Sequence, residues 1–213
     1  MFKKNDFAKS YTVSVYQLKS RFQDLLRPLV SRLAQWDVTA NQVTIAAMLI
    51  SVAIGSWLVI AENKVWFWLI PAWLFIRMAM NAIDGMLARE FNQQSILGAY
   101  LNELGDLVSD IALFAPFLWV APFQPHWMGL IIVLALLTEF AGLLGLSVGA
   151  SRRYDGPMGK SDRALLFSIL GGWLAVDGFL PQWMVWLQPL LIALLVWTIF
   201  NRIRRGLAEA AKG

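Results

Sequence analysis

The chain has 213 residues, a one-domain length, yet 58% of them are hydrophobic and only 15% charged, which excludes an ordinary soluble domain and points to an integral membrane protein. It has no cysteine, so disulfide frameworks, thiolate catalysis and cysteine-ligated zinc are all ruled out, and any metal must be met by oxygen or by the single histidine. Lys and Arg outnumber Asp and Glu by 18 to 14, a formal charge of +4. In a membrane protein that surplus reads as orientation in the bilayer rather than nucleic-acid binding.

Near the start, no apolar run follows Met1, so no cleaved leader is expected. Instead Leu18, Phe22, Leu25, Leu26, Leu29, Val30 and Leu33 recur at helical spacing among Lys19, Arg21, Arg27 and Arg32. The pattern predicts an amphipathic helix over 10–36 on the cytoplasmic membrane surface, with a first helix packed against a bundle as a compatible alternative. Apolar stretches long enough to cross a bilayer follow at 39–60, 65–88, 96–121, 127–150, 162–179 and 183–203. The expected fold is therefore an all-α integral membrane protein, with six transmembrane helices in a bundle over 39–203 preceded by the surface helix. No internal repeat or second domain is visible, and 1–213 reads as a single domain.

The basic residues are unevenly placed. Arg152, Arg153, Lys160 and Arg163 lie in the connection after the fourth span, Arg204, Arg205 and Lys212 lie in the tail, and more precede Thr39, whereas Lys64 stands almost alone on the other side. Both termini are then cytoplasmic by the positive-inside rule. Trp66, Trp68, Trp119, Trp127, Trp183 and Trp186 fall near the outer span ends, where indole rings anchor among headgroups.

Acids are costly inside a membrane, so Asp84, Glu103, Asp106, Asp110 and Glu139 are functional candidates, with Arg77 and Arg89 available for internal ion pairs. Asn81 and Asp84 share a helix face, as do Asn102, Asp106 and Asp110. Counting about 1.5 Å of rise per residue from Asn92, Asp84 lies roughly 12 Å along one helix, with Asn81 roughly 16 Å along it and Asn102 roughly 15 Å along the next. Oxygen donors brought level in this way suit Mg²⁺ or Ca²⁺, and hard divalent ions suit phosphate substrates. Gly85, Ala88, Gly98 and Gly105 interleave with these positions and permit close approach of a helix or a ligand.

The run Asp84-Gly85-Met86-Leu87-Ala88-Arg89, then eight residues, Gly98, three residues, Asn102, three residues and Asp106 resembles the signature of the CDP-alcohol phosphotransferase family. That signature is written DxxDGxxAR, eight residues, GxxxDxxxD. Asn81 and Asn102 stand where the family has its first and third aspartates, which removes two negative charges from the metal site. The resemblance implies a phosphatidyltransferase that moves a phosphatidyl group from CDP-diacylglycerol to a small hydroxyl acceptor and releases CMP. It implies Mg²⁺ or Mn²⁺ at Asn81, Asp84, Asn102 and Asp106, with Asp106 also acting as base on the acceptor hydroxyl.

The same resemblance places the nucleotide against Asn41, Thr44, Gly85, Ala88 and Arg89, although capping of the first span by Thr39 would also account for the Thr39–Thr44 stretch. Arg152, Arg153, Lys160 and Arg163 would hold the phosphate of an acceptor such as glycerol 3-phosphate, or else express orientation and contact with anionic lipid. Glu139 matches a place where relatives carry an acid, and an ion pair with Arg77 is an equal alternative. A homodimer among membrane lipids, integral to a bacterial inner membrane with its active site cytoplasmic and without a nucleic-acid partner, completes the expectation. Two other readings stand beside it: a catalytically weak CDP-lipid-binding relative, which the two asparagines favour, and a small transporter using its intramembrane acids.

Overall fold

A computed structural model describes the backbone of residues 6–212 and the side chains of residues 20–212. Among the described residues the fold is helical throughout: α1 (Asp6–Gln35), α2 (Ala40–Ile60), α3 (Leu69–Glu90), α4 (Ile96–Phe114), α5 (Pro125–Ser147), α6 (Lys160–Asp177) and α7 (Leu187–Ala210). Short 3₁₀ turns lead into α3 and α7 and follow α4. Each of the six apolar stretches overlaps one of α2 to α7. Four segments are long and apolar enough to cross a membrane: Ala40–Ile60, Lys64–Glu90, Pro125–Ser147 and Gln182–Ala210. The other two helices are α4, with Glu103, Asp106 and Asp110 along it, and α6, with Lys160, Asp162, Arg163 and Asp177.

The chain packs as two compact units, Met1–Ala47 with Ile76–Gly105, and Met48–Phe75 with Asp106–Gly213. The first unit has a core of Val30, Ala40, Val43, Ile83, Met86 and Leu87, against which Leu26, Leu33, Met80 and Ala88 pack. Thus α1 spends Leu26, Val30 and Leu33, one face at four- and three-residue steps, on the protein interior, while Leu25 and Leu29 remain exposed. Leu18 and Lys19, which the amphipathic pattern also invoked, lie outside the described side chains. Thr39 caps α2 reciprocally: its hydroxyl accepts from the Gln42 N–H at 3.2 Å and its own N–H donates to Gln42 Oε1 at 2.9 Å.

In the second unit α5 packs along α7, and the turn before α3 packs on α6. Phe114 stacks on Phe167 with ring centroids 3.9 Å apart, and Phe117 meets both Phe67 and Phe167 edge-on. The six tryptophans expected at the membrane boundary are all exposed, as anchors among lipid headgroups require. Gly55 allows α2 to touch α4, because a Cβ there would fall 2.0 Å from the Ala112 carbonyl oxygen. Gly55→Ala should therefore force the backbones apart and cost about 1–3 kcal/mol. Gly129→Ala, whose nearest neighbour would be 3.9 Å away, should be close to neutral. Thermal denaturation in detergent compares the two.

Candidate active site

In the first unit the motif residues of α3 meet the start of α2. The Thr44 hydroxyl lies 2.8 Å from Asp84 Oδ2 and 3.1 Å from the Ala40 carbonyl, so it is placed to donate to the buried carboxylate. Thr44, expected beside the nucleotide, is thus also a direct support for Asp84. The Ala40 N–H, one of the donors left open at a helix start, is taken by Gln93 Oε1 at 2.7 Å. A Cβ at position 98 would come within 2.8 Å of Asn41 Oδ1, so the motif glycine lets the Asn41 carboxamide approach α4. Ser95 caps that helix by accepting from the Gly98 N–H at 2.9 Å. Arg89 folds back over its own helix, with a guanidinium nitrogen 3.0 Å from where a Gly85 Cβ would stand. Gly85 thereby leaves room for Arg89 to lie along α3.

The second unit contains Asp106 and the basic residues. Asp106 forms an ion pair with Lys160, the first residue of α6. Deeper in, Arg163 is buried and both of its terminal nitrogens are used. One donates to Thr138 Oγ1 at 3.1 Å and to the Met158 carbonyl at 3.2 Å, the other to Glu139 Oε1 at 3.0 Å and Asp110 Oδ2 at 3.4 Å. Arg202, equally buried, lies 3.4 Å from Glu139 and donates to the Thr138 carbonyl. Arg152 approaches the other Glu139 oxygen at 3.8 Å. Three arginines therefore converge on one buried carboxylate, and among the described residues the N–H at Nε of Arg163 and of Arg202 has no hydrogen-bond partner.

Arg153 stands apart from this centre, bonded to Asp155 through Nε at 2.9 Å and to Glu209. Burial alone would push the Asp155 carboxyl up, but the hydrogen bonds and charges of Arg153 and Arg205 outweigh it and hold the group below its usual value. Of the four basic residues expected at an acceptor phosphate, Lys160 and Arg152 retain the greater exposure, 33% and 25% of their side chains. Arg163 and Arg153 are committed to carboxylates.

Sequence reasoning passed over Arg202, Asp155 and Glu209. Arg202 was hidden because a basic residue at the end of a last span already fits positive-inside bias; its partner Glu139 lies 63 positions earlier, beyond any local pattern.

The donors fit a hard divalent ion by their chemistry. Asp84 and Asp106 offer carboxylates, Asn81 and Asn102 offer amide oxygens, and Thr44 holds Asp84 in a fixed orientation. Among the described residues no group of three or more His, Cys, Asp or Glu side chains could hold a metal ion.

Residues 37–199 match the model of the CDP-alcohol phosphatidyltransferase family. The chain belongs to that family, a family of enzymes. It is 48% identical over 203 residues to the Inner membrane protein YnbA of Escherichia coli strain K12, covering 94% of this chain and 100% of that protein. It is 29% identical over 171 residues to the Phosphatidylinositol phosphate synthase of Mycobacteroides abscessus, covering 78% of this chain and 75% of that one. The fold is shared with the phosphatidylinositol phosphate synthase of Mycobacterium tuberculosis. The crystal structure of that enzyme with CDP-DAG bound gives a TM-score of 0.66 at 20% identity, covering 86% of this chain and 92% of that one. Its complex with manganese and citrate gives 0.70 at 20% identity, covering 84% and 87%.

Removing the carboxylate that gathers the arginines should be more damaging than removing any one of them. Glu139→Ala strands the buried charges of Arg163 and Arg202 and should cost about 3–5 kcal/mol. Glu139→Gln, which keeps an acceptor oxygen, should cost less. Denaturation of the purified variants in detergent measures both.

Proposed function

We propose that the protein transfers a phosphatidyl group from CDP-diacylglycerol to a small hydroxyl acceptor, with release of CMP and retention of the phospholipid product in the membrane. The observation that carries this reading is the family motif in its full spacing from Asp84 to Asp106, with Asp84 held by Thr44 and Asp106 by Lys160.

Asn81, Asp84, Asn102 and Asp106 are the residues that would hold Mg²⁺ or Mn²⁺; a manganese complex of the related synthase supports that choice of ion. A bound divalent ion would neutralise the diphosphate and stabilise the departing CMP. Asn41, Thr44, Gly85, Ala88 and Arg89 receive the nucleotide, and the related synthase with CDP-DAG bound supports that donor. Asp106 takes the proton of the acceptor hydroxyl. The hydroxyl oxygen then attacks the lipid-bearing phosphorus, a P–O bond forms, and the P–O bond to CMP breaks. Lys160 and Arg152 meet the acceptor directly, while Arg153 and Arg163 set their surroundings. Two cations suit the dianionic phosphate of a phosphorylated polyol, for which glycerol 3-phosphate is our first choice; inositol phosphate is the second, in line with the name of the Mycobacteroides abscessus relative.

The protein works as one catalytic domain with six spans, α4 and α6 included. Both termini and the site are cytoplasmic, with Leu25 and Leu29 of α1 turned to the membrane surface. The positive-inside distribution supports the orientation, the E. coli relative supports a bacterial inner membrane, and family resemblance supports a homodimer. The two asparagines favour a second reading, a relative that binds CDP-lipid without turnover.

With detergent-purified protein, CMP release from CDP-diacylglycerol should require Mg²⁺ or Mn²⁺ and an acceptor, and EDTA should stop it. Asp106→Asn should lower the rate by about 10²-fold or more without loss of folding. Full turnover by that variant would remove Asp106 as the base, and CDP-diacylglycerol binding without CMP release from the unaltered protein would favour the second reading.

A further inference from the structure

The segment between α5 and α6 has no regular secondary structure, yet it is fastened at nearly every other residue. Its backbone lies directly on two helices. The Arg153 N–H donates to the Gly142 carbonyl at 3.0 Å, the Ala150 N–H to the Gly145 carbonyl at 2.9 Å, and the Met158 N–H to Thr198 Oγ1 at 3.1 Å. Side chains at the glycines would break these contacts. A Cβ at Gly142 would fall 2.5 Å from the Arg153 carbonyl oxygen, one at Gly145 would fall 2.7 Å from that of Ser151, and one at Gly156 (φ +128°) would fall 2.6 Å from Thr198.

A network of charges fastens the same segment to the last turns of α7. Glu209 accepts from the Ser151 N–H and from the Ser151 hydroxyl, each at 3.0 Å, and pairs with Arg153. Asp155 joins Arg153 at 2.7 Å to Arg205 at 2.6 Å. Two carboxylates and two guanidiniums thus alternate, and α7 continues past its apolar run to Ala210 to supply half of them.

What the segment carries gives the network its consequence. Arg152 lies between the anchored residues Ser151 and Arg153, and Lys160 follows directly after the segment. Arg152 reaches Glu139, Lys160 reaches Asp106, and these are the two cations assigned above to the acceptor. An irregular segment without such ties samples many conformations, and placing two long cationic side chains then carries an entropic cost on binding.

We propose that Glu209 and Asp155 are positioning residues for the acceptor alcohol: with Arg153 and Arg205 they lock residues 149–159 onto α7, and the lock fixes where Arg152 and Lys160 stand. The proposal rests on the phosphatidyl-transfer reading, and on Arg152 and Lys160 as the residues that meet the acceptor. It separates two classes of basic residue in one stretch, those that meet substrate and those that hold the segment.

The test uses the full-length protein in CDP-diacylglycerol vesicles with glycerol 3-phosphate as acceptor, following CMP release. Glu209→Ala should raise the acceptor KM by about tenfold while leaving the KM for CDP-diacylglycerol little changed, and Glu209→Asp should recover most of the loss. Hydrogen–deuterium exchange over 149–159 should be faster in Glu209→Ala. An unmoved acceptor KM, an equal rise in both KM values, or unchanged exchange would overturn the lock while leaving phosphatidyl transfer in place. No CMP release from the unaltered protein with any phosphorylated polyol would instead overturn the transfer reading, and the acceptor role of the lock with it.

Discussion

Glu139 sits within an apolar helix, is 7% exposed, and faces the guanidiniums of Arg163, Arg202 and Arg152. A lone carboxylate at such a position would be expensive, and so would either buried arginine. Together they compensate one another, and that mutual dependence fixes more than local charge. Arg163 belongs to α6, Arg202 to α7 and Glu139 to α5. Asp110, which shares Arg163, belongs to α4. Four helices are therefore held in register within the second unit by one cluster whose members cannot be removed singly.

That cluster accounts for Asp110 in α4 and Arg163 in α6. On α4, Asp110 pairs with Arg163 and Asp106 with Lys160, and on α6 Asp162 accepts from the Gly159 N–H. Part of the polarity in these helices holds them in register. A division runs through the basic stretch after α5. Arg153 is consumed by Asp155 and Glu209, Arg163 by Glu139 and Asp110, and Lys160 and Arg152 keep the most exposure.

Much of this was legible in the sequence because it is local. Span positions follow from hydropathy, and each falls on a helix. The motif from Asp84 to Asp106 is readable through its resemblance to a family signature of fixed spacing, and Thr39 is readable as a helix cap. What the sequence left ambiguous was decided by contacts between distant residues. The α1 pattern fits a surface helix and a packed helix alike, and the packing of Val30 against Val43 and Met86 shows that part of the apolar pattern serves the interior. The tie between Ser151 and Glu209 joins positions 58 apart, so Glu209 looked like one more polar residue in a tail. Thr44 was expected at the nucleotide through family resemblance, and its contact with Asp84 crosses 40 positions.

Asn81 and Asn102 bring two fewer negative charges to the motif than the family signature carries, so metal-assisted transfer is the step of the proposed reaction to test. The most direct measurement is mass spectrometry of the lipid formed when the purified protein is reconstituted with CDP-diacylglycerol, Mg²⁺ or Mn²⁺ and each phosphorylated polyol in turn. The account predicts a new phospholipid carrying the intact acceptor, in amounts equal to the CMP released. No such lipid with any acceptor, or phosphatidic acid from simple hydrolysis alone, would contradict it.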